Sequence, residues 1–349
     1  MNGHSSFGGR IETEGSAQRL FLGLAATALL VLGVTGTGAA TAAADTVTKT
    51  IPLGADPVRV AVSADGSEVY VTTSDDNAVS VIDAATYSVS GTVPVADGAA
   101  GVAVSEDGTR AYVTTRNDSV AVIDTDTNGV TDTVEVGTRP YGVAVTPDGE
   151  QVYVANIDDD SVSVIRTSDN TVTNIDIVDG GPIDVAVNPE GTRVYVVNEH
   201  DDSVSVIDTA TNAVMHTVRV GDSPKGVVVT PDGSRAYVTN FDDDTVSVIN
   251  TSDNTVTEIG EVGDGPLEVA ITPDGTRVYV TAFNDDAVSV IDTVTNTVAE
   301  FLEEVGDGPE GVAIDPDGSR AYVANNNDAT VSVIDIDHGK CTGSLCFGS

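Results

Sequence analysis

The sequence has little positive charge, only two cysteines and no tryptophan. Fifteen Lys and Arg residues stand against 55 Asp and Glu residues in 349, which gives a formal net charge of −40. Nucleic-acid binding depends on counterion release by basic side chains, so this balance excludes a nucleic-acid partner. Two cysteines form at most one disulfide bond, which cannot hold together the fold of a chain of this length, so the fold is not a disulfide scaffold. The absence of tryptophan excludes any cofactor made from that residue.

Residues 1–44 have the pattern of a secretory signal peptide. A polar lead is followed by the apolar run Leu20–Val34, whose 15 residues are fewer than the roughly 20 that a membrane-spanning helix needs. Small residues follow, and the A-x-A-like end of this stretch predicts cleavage after Ala44. An uncleaved anchor is the alternative, because the polar lead also carries two glutamates. We therefore expect a secreted or cell-surface protein with no membrane span after cleavage.

The rest of the chain is one unit repeated seven times. A Tyr-Val dipeptide marks each unit, at Tyr70, Tyr112, Tyr153, Tyr195, Tyr237, Tyr279 and Tyr322. Each unit holds four short β-rich runs separated by turn residues. The first turn is Asp-Gly, or Glu-Gly in the fourth unit, and its glycine supplies the positive φ of a tight hairpin. Four strands in roughly 40–45 residues are typical of a propeller blade, so residues 45–337 are predicted to form seven blades.

The inner runs and the ends of the repeat region predict how the blades pack and how the ring closes. The inner runs are almost continuously apolar, which indicates strands buried on both faces between neighbouring blades. The last unit stops after its third run, Val331–Asp335, and an orphan fourth run, Thr46–Ile51, begins the region. We expect this N-terminal strand to pair with the third strand of the last blade, which removes an open edge.

The fifth unit contains Tyr237-Val-Thr-Asn240, preceded by Val229-Thr-Pro-Asp-Gly233 and followed by Val246-Ser-Val-Ile249. These motifs closely resemble those of the YVTN β-propeller family, over residues 46–337. The resemblance implies an exported protein of surface-layer-like type, and most such relatives lack an assigned reaction. The same superfamily is similar to lactonase propellers and to the large subunits of quinoprotein amine dehydrogenases. Such a resemblance implies fold rather than function.

The inter-blade links and the second turns share one face, which we call the top face, and residues that break the repeat there are candidates for function. They are Arg59, Arg116, Arg139, Tyr141, Asp184, His200, Lys225, Phe241, Glu268, Phe283 and Glu310. Six of them form the predicted ligand site: Arg59, Arg116, Arg139, Tyr141, His200 and Lys225. We expect their bases to attract a small anionic ligand at the mouth of the central channel. Unselected variation of loop residues is the alternative.

Charged residues also recur with the repeat. The second turns would place a ring of carboxylates on the top face: Asp75-Asp76, Asp158–Asp160, Asp201-Asp202, Asp242–Asp244 and Asp285-Asp286. Carboxylates suit Ca²⁺, but none of these turns has the D-x-[DN]-x-[DN]-G pattern. We therefore expect no cofactor, with a structural calcium ion as the alternative. On the opposite face, the arginines that follow the first turns are expected to pair with carboxylates such as Asp124, Asp208 and Asp335.

Residues 338–349 form a tail that contains Cys341 and Cys346. In an exported protein these two residues predict a small-loop disulfide, and pairing with another chain is the alternative. The sequence has no H-E-x-x-H, G-x-S-x-G or P-loop motif and no His/Cys cluster with zinc spacing. No residue is therefore singled out as catalytic.

Together these observations predict an all-β, seven-bladed propeller of four-stranded antiparallel blades, closed by its N-terminal strand. We expect a monomeric, non-catalytic binding or cell-surface scaffold whose top face binds an unknown small molecule, glycan or protein. One alternative is a lactonase-like hydrolase with its site in the top channel. Another is a subunit that docks a cationic redox partner, steered by the negative field of the protein.

Overall fold

The computed structural model describes residues 44–177 and 180–337. The regular secondary structure of these residues consists of β-strands alone. In chain order the strands are β1 Thr46–Pro52, β2 Pro57–Val62, β3 Glu68–Thr73, β4 Ala78–Asp83, β5 Ser88–Pro94, β6 Ala99–Val104, β7 Arg110–Thr115, β8 Ser119–Asp124, β9 Gly129–Glu135, β10 Pro140–Val145, β11 Gln151–Asn156, β12 Ser161–Arg166, β13 Thr171–Asp176, β14 Pro182–Val187, β15 Arg193–Asn198, β16 Ser203–Asp208, β17 Ala213–Arg219, β18 Pro224–Val229, β19 Arg235–Asn240, β20 Thr245–Asn250, β21 Val256–Ile259, β22 Pro266–Ile271, β23 Arg277–Ala282, β24 Ala287–Asp292, β25 Thr297–Leu302, β26 Pro309–Ile314, β27 Arg320–Asn325 and β28 Thr330–Asp335. The predicted signal peptide, apart from Ala44, and the predicted Cys341–Cys346 disulfide lie outside the described residues.

The strands form seven four-stranded antiparallel sheets, one for each repeat, which confirms the predicted propeller. Blades 1 to 6 are built from consecutive strands: β2–β5, β6–β9, β10–β13, β14–β17, β18–β21 and β22–β25. Blade 7 has the strand order β1-β28-β27-β26, so its outer strand comes from the other end of the propeller region. Within residues 44–177 and 180–337, no helix is long and apolar enough to span a membrane.

The N-terminal strand closes the ring as predicted. Strand β1 pairs antiparallel with β28, with Ile51 opposite Val331 and Thr46 opposite Asp335. Ile51 is buried in an apolar layer that also contains Tyr322 of blade 7 and Val71 of blade 1. The closing strand therefore covers the free edge of blade 7 and also packs into the layer between the last blade and the first.

The core is a series of apolar layers between neighbouring blades. Between blades 3 and 4, for example, Tyr153 and Ile175 pack with Val194 and Ile207. The second strand of each blade is buried on both faces, as its continuous apolar sequence predicts, and β11 is buried from its second residue to its last. Each fully buried Val or Ile side chain contributes about 1.5–3 kcal/mol relative to exposure. The Tyr-Val sequence that recurs in the second strand therefore contributes to an apolar layer at every blade.

The acidic second turns on the top face hold the links between blades. Asp118 Oδ1 accepts a hydrogen bond from the backbone N–H of Arg139 at 3.0 Å, which lies in the next link. A second carboxylate of a turn bonds to the link that enters its own blade, as Asp285 Oδ2 does with the N–H of Asp264 at 2.8 Å. These aspartates thus bond to backbone amides that would otherwise be unsatisfied in a loop. The second turns of most blades carry aspartates in part because these residues accept hydrogen bonds from the links.

Two of the five arginines on the opposite face, Arg277 and Arg320, pair with carboxylates as predicted, and the other three donate to carbonyl oxygens instead. Arg193 Nη1 donates to the carbonyl oxygen of Thr251 in the next blade at 3.0 Å, so this hydrogen bond crosses the interface between two blades. Of the three carboxylates expected as partners, Asp335 alone lies within 4 Å of such an arginine among the described residues, at 3.8 Å from Arg320 Nε. In Arg110, Arg193 and Arg235 the guanidinium group passes the residue opposite it in its own sheet and donates to a third-turn carbonyl oxygen of the next blade.

Candidate functional site

The third residue of each blade's first strand determines what enters the central channel. Four blades have glycine there: Gly101, Gly142, Gly226 and Gly311. A Cβ atom on Gly101 would lie 2.2 Å from the carbonyl oxygen of Tyr141 in the next blade, so glycine allows the inner strands to approach closely. The other three blades have Arg59, Asp184 and Glu268, which line a narrow central space of about 140 Å³. At this position of the strand, charged side chains therefore enter the channel from three blades.

Four side chains meet across the channel from blades 1, 3, 6 and 7. Arg59 forms an ion pair with Glu268, and these two side chains are 12% and 13% exposed. The Arg59 guanidinium carbon lies 5.3 Å from the ring centroid of Tyr141, a cation–π distance. The Tyr141 hydroxyl donates to Glu310 Oε1 at 3.0 Å. We call these residues together with Asp184 the channel cluster.

Asp184 also bonds to the inner strand of the next blade, a contact that a threonine makes in four other blades. In four blades a threonine hydroxyl donates to a carbonyl oxygen of the next inner strand: Thr72, Thr114, Thr239 and Thr281. Val197 stands at this position in blade 4, and there Asp184 Oδ2 accepts from the backbone N–H of Val227 in blade 5 at 3.0 Å. Ala155 and Ala324 occupy the position in blades 3 and 7, and neither can form the bond.

Burial dominates the electrostatics of the channel cluster. It raises the pKa of Glu310 and of Asp184, and the Arg59 charge offsets part of each rise. Burial also raises the pKa of the Tyr141 hydroxyl, and the nearby Glu310 carboxylate adds to that rise. Tyr141 therefore remains a proton donor, while the two carboxyl groups bind protons more readily than carboxyl groups in water.

A cavity of about 670 Å³ adjoins the cluster at the top face, and we call it the mouth cavity. Residues of blades 1, 2, 3 and 7 and of their links line it, and Tyr141 and Glu310 belong to both the cavity and the cluster. Its other charged residues are Asp56, Asp75, Arg116, Asp118, Arg139 and Asp158. The mouth cavity therefore combines two guanidinium groups with five carboxyl groups.

Two polar groups in the mouth cavity are available to a ligand. Arg139 is already paired with Asp158, at 3.3 Å between Nη1 and Oδ1. Arg116, by contrast, has no carboxylate within 4 Å among the described residues, although its charge counteracts the effect of burial on the Glu310 pKa. Ser74 is 8% exposed, and its Oγ has no hydrogen-bond partner in the described part of the chain. A buried hydroxyl without a partner is costly, so a ligand that bonds to it gains affinity.

The structure gathers four of the six predicted ligand residues on one side of the mouth. The mouth cavity contains Arg116, Arg139 and Tyr141. Arg59 lies beneath them against the ring of Tyr141. Lys225 pairs with Glu199 and lies 5.6 Å from the ring centroid of Phe241, and neither it nor the exposed His200 lines this cavity.

Sequence reasoning singled out Asp184, Glu268 and Glu310 as breaks in the repeat but did not include them in the ligand site. The signal for Asp184 and Glu268 was a charged residue where four other blades have glycine. Ser74 gave no signal, because only its burial and missing partner distinguish it. Among the residues that the structure describes, no group of three or more His, Cys, Asp or Glu side chains has a metal-binding arrangement.

Comparisons with known proteins agree with this fold. The profile of the family described as Lactonase, 7-bladed beta-propeller matches residues 65–178, 138–210, 172–299 and 209–345. Among solved structures, hydrazine synthase of Kuenenia stuttgartiensis has a TM-score of 0.75 at 24% identity, covering 86% of this chain and 99% of that one. The Cps50 (Swd1) β-propeller domain of Myceliophteria thermophila has a TM-score of 0.73 at 12% identity, covering 84% and 99%.

At these identities the two structural likenesses show the fold alone. No curated protein matches the chain significantly. The family match falls on the lactonase propellers, which the sequence resemblance included as a related group, and it does not confirm the YVTN repeat label itself.

Proposed function

The chain belongs to the Lactonase, 7-bladed beta-propeller family, and on this basis we propose that it is an exported scaffold that binds a small organic anion in the mouth cavity. The observation that carries this proposal is the pair of available groups, the Arg116 guanidinium and the buried Ser74 hydroxyl, in a cavity of about 670 Å³. That volume lies within the range of roughly 300–1,000 Å³ typical of small-molecule sites.

The charges of the mouth cavity restrict the ligand class. Five carboxyl groups against two guanidinium groups repel a polyanion. Carboxylates accept hydrogen bonds from hydroxyl groups, and one free guanidinium group binds one carboxylate in a bidentate fashion. The cavity therefore fits a polyhydroxylated compound with a single acidic group, such as a sugar acid or another hydroxy acid.

Calorimetric titration with D-gluconate and D-glucuronate tests this function, with neutral D-glucose as the comparison ligand. We expect the acids to bind and Arg116→Ala to weaken their binding at least about tenfold, because a charge-assisted hydrogen bond contributes roughly 1.5–3 kcal/mol. Lys225→Ala removes the same charge outside the cavity and should leave the affinity unchanged. Equal weakening by both variants, or no binding of either acid, would contradict the proposal.

Hydrolysis of a lactone is the second candidate, and one observation favours it. Glu310 lines the cavity, its pKa is raised by burial, and it accepts a hydrogen bond from Tyr141. A carboxylate with a raised pKa is a stronger general base, suited to take a proton from water as that water attacks a lactone carbonyl. Arg116 would then bind the carboxylate product. Acid release from D-glucono-lactone in a pH-stat, lost in Glu310→Gln while that variant still binds gluconate, would support catalysis over simple binding.

The location and the protein partners are part of the proposal. The signal-like residues 1–44 support export, and the net charge of −40 supports the docking of a basic protein as the alternative role of the top face. Binding of a basic redox protein that weakens steeply between low and high salt would support that role. Binding that does not change with salt would count against it.

A further inference from the structure

Asp45, the residue that would follow the predicted cleavage, is buried among blades 6 and 7. It is 3% exposed as a residue. Its carboxylate accepts hydrogen bonds from Arg277 Nη1 at 2.8 Å, from the backbone N–H of Asp337 at 2.8 Å and from the hydroxyl of Tyr279. Three donors thus hold one side chain at the start of the closing strand.

This arrangement repeats one that other blades build with asparagine. Between blades 5 and 6, Arg235 Nη1 and the Tyr237 hydroxyl both donate to Asn296 Oδ1, at 3.1 and 2.8 Å. Asn296 belongs to the turn that leads into the fourth strand of blade 6. Blade 7 has no such turn, because its fourth strand is β1. Asp45 takes the place of the turn asparagine in blade 7, whose strands come from both ends of the propeller region.

The backbone nitrogen of Asp45 faces a carboxylate of the neighbouring blade. It lies 3.0 Å from Glu300 Oε2, and Glu300 is half-buried in β25. Ala44, the preceding residue, is exposed. A backbone amide offers Glu300 a single neutral donor, whereas an α-ammonium group offers a charge and three donors. A charge-assisted hydrogen bond is roughly twice as strong as a neutral one, so the ammonium group is the better partner for this carboxylate.

We propose that the Ala44–Asp45 peptide bond is hydrolysed and that the new α-ammonium group of Asp45 forms an ion pair with Glu300 in the closed ring. Water adds across the bond, which leaves a carboxylate on Ala44 and an ammonium group on Asp45. Because Asp45 is buried once β1 has paired with β28, hydrolysis precedes ring closure. The closing strand is then held at its first residue by two ion pairs, Asp45 with Arg277 and the terminal ammonium with Glu300.

The first test is the terminus of the full chain after expression in a secreting host. Mass spectrometry of the intact protein and of its N-terminal peptide should show a chain that begins Asp45-Thr46-Val47. A terminus at any other residue would overturn the proposal, because the ammonium group would then be displaced from Glu300.

The second test is the pH dependence of thermal unfolding of the processed protein. An α-amino group has an unfolded pKa of about 7.7–8.0. Pairing with Glu300 raises the folded pKa, so the stabilisation is complete below pH ~8 and is lost as the pH rises through the folded value. The other groups around this nitrogen are Asp45, Arg277, Tyr279 and Asp337. The pKa of both Arg277 and Tyr279 is raised further above this window.

Glu300→Gln should lower the melting temperature by roughly 2 °C below pH 8 and remove the decline between pH 8 and pH 10. Glu304→Gln makes the same charge change at an exposed position two residues beyond β25 and should keep the wild-type profile. Identical pH profiles for the two variants would overturn the ion pair even if the terminus is Asp45.

Discussion

The carboxyl group of Asp65 in a blade turn and those of Glu310 and Asp184 in the central channel have pKa values shifted in opposite directions. In the first turn of blade 1, hydrogen bonds from Ser67 and Ser63 lower the pKa of Asp65 to about 2. In the channel, burial raises the pKa of Glu310 and Asp184. The turn supplies several donors to an exposed carboxylate, whereas the channel removes water and supplies few donors. Acidic residues therefore stabilise the turns of the repeat, and in the central channel they are stronger bases than carboxylates in water.

The two regions also differ in how they use glycine. At the turns glycine adopts a positive φ, as Gly66 does at 72°, and it serves each blade separately. In the inner strands glycine removes a side chain so that two blades can touch, and the blades that lack it send a charge into the channel. The repeat thus provides a uniform frame, and departures from it at a single position place Arg59, Asp184 and Glu268 in the channel beneath the mouth cavity.

The largest expected effect comes from breaking the frame at its closing strand. Deletion of residues 45–52 leaves the edge of β28 unpaired and removes Ile51 from its apolar layer. We expect the melting temperature to fall by more than about 10 °C, measured by differential scanning calorimetry. An unchanged melting temperature would show that β1 does not close the ring.

The second prediction tests whether glycine in the inner strands is required for contact between blades. Gly101→Ala should lower the free energy of unfolding by about 3 kcal/mol, because its Cβ meets the backbone oxygen of Tyr141. Gly91→Ala is the matched control, since nothing lies within 4 Å of a Cβ at that strand position. Urea denaturation should show a change within about 0.5 kcal/mol for the control. Equal losses in the two variants would contradict the role assigned to close approach.

The third prediction concerns the pH dependence of the channel. A raised folded pKa for Glu310 means that its contribution to stability is complete below its unfolded pKa and is lost as the pH rises through the folded value. Glu310→Gln has no such loss, so its stability relative to wild type should increase from pH 4 to pH 7. Urea denaturation across this range measures the difference, with Glu106→Gln as the exposed control. A difference that is constant with pH would refute the raised pKa.

The smallest effect is expected at a turn. The lowered pKa of Asp65 means that its stabilising contribution is present above pH ~4 and is lost as the pH falls through about 2. Asp65→Asn should therefore lower the melting temperature slightly at pH 6 and by clearly less at pH 2, where about half of the Asp65 carboxyl groups are protonated. Asp126→Asn, in an exposed third turn of blade 2, is the control. If Asp65→Asn lowered the melting temperature equally at pH 6 and at pH 2, the lowered pKa of Asp65 would not be the cause.

The frame was predictable from the sequence because each blade repeats the same local rules. Turn glycines, apolar runs and a constant period specify four strands per unit, and the orphan run before Leu53 specifies how the ring closes. The site was only partly predictable. Sequence reasoning marked Tyr141 and Glu310, which are 169 residues apart, but their hydrogen bond depends on reach across the channel. Lys225 was expected in the same site, but it lies in blade 5, which does not line the cavity, and it pairs with Glu199 there.

The threonine bonds between inner strands make the junctions of the ring unequal. Blades 3 and 7 have Ala155 and Ala324 in place of the threonine, so in the described chain these two junctions lack the bond that four others have. They divide the ring into two arcs, blades 1–3 and blades 4–7. Hydrogen exchange should be fastest for inner-strand amides at these two junctions. The mouth cavity spans one of them, the junction between blades 7 and 1, so its walls belong to both arcs.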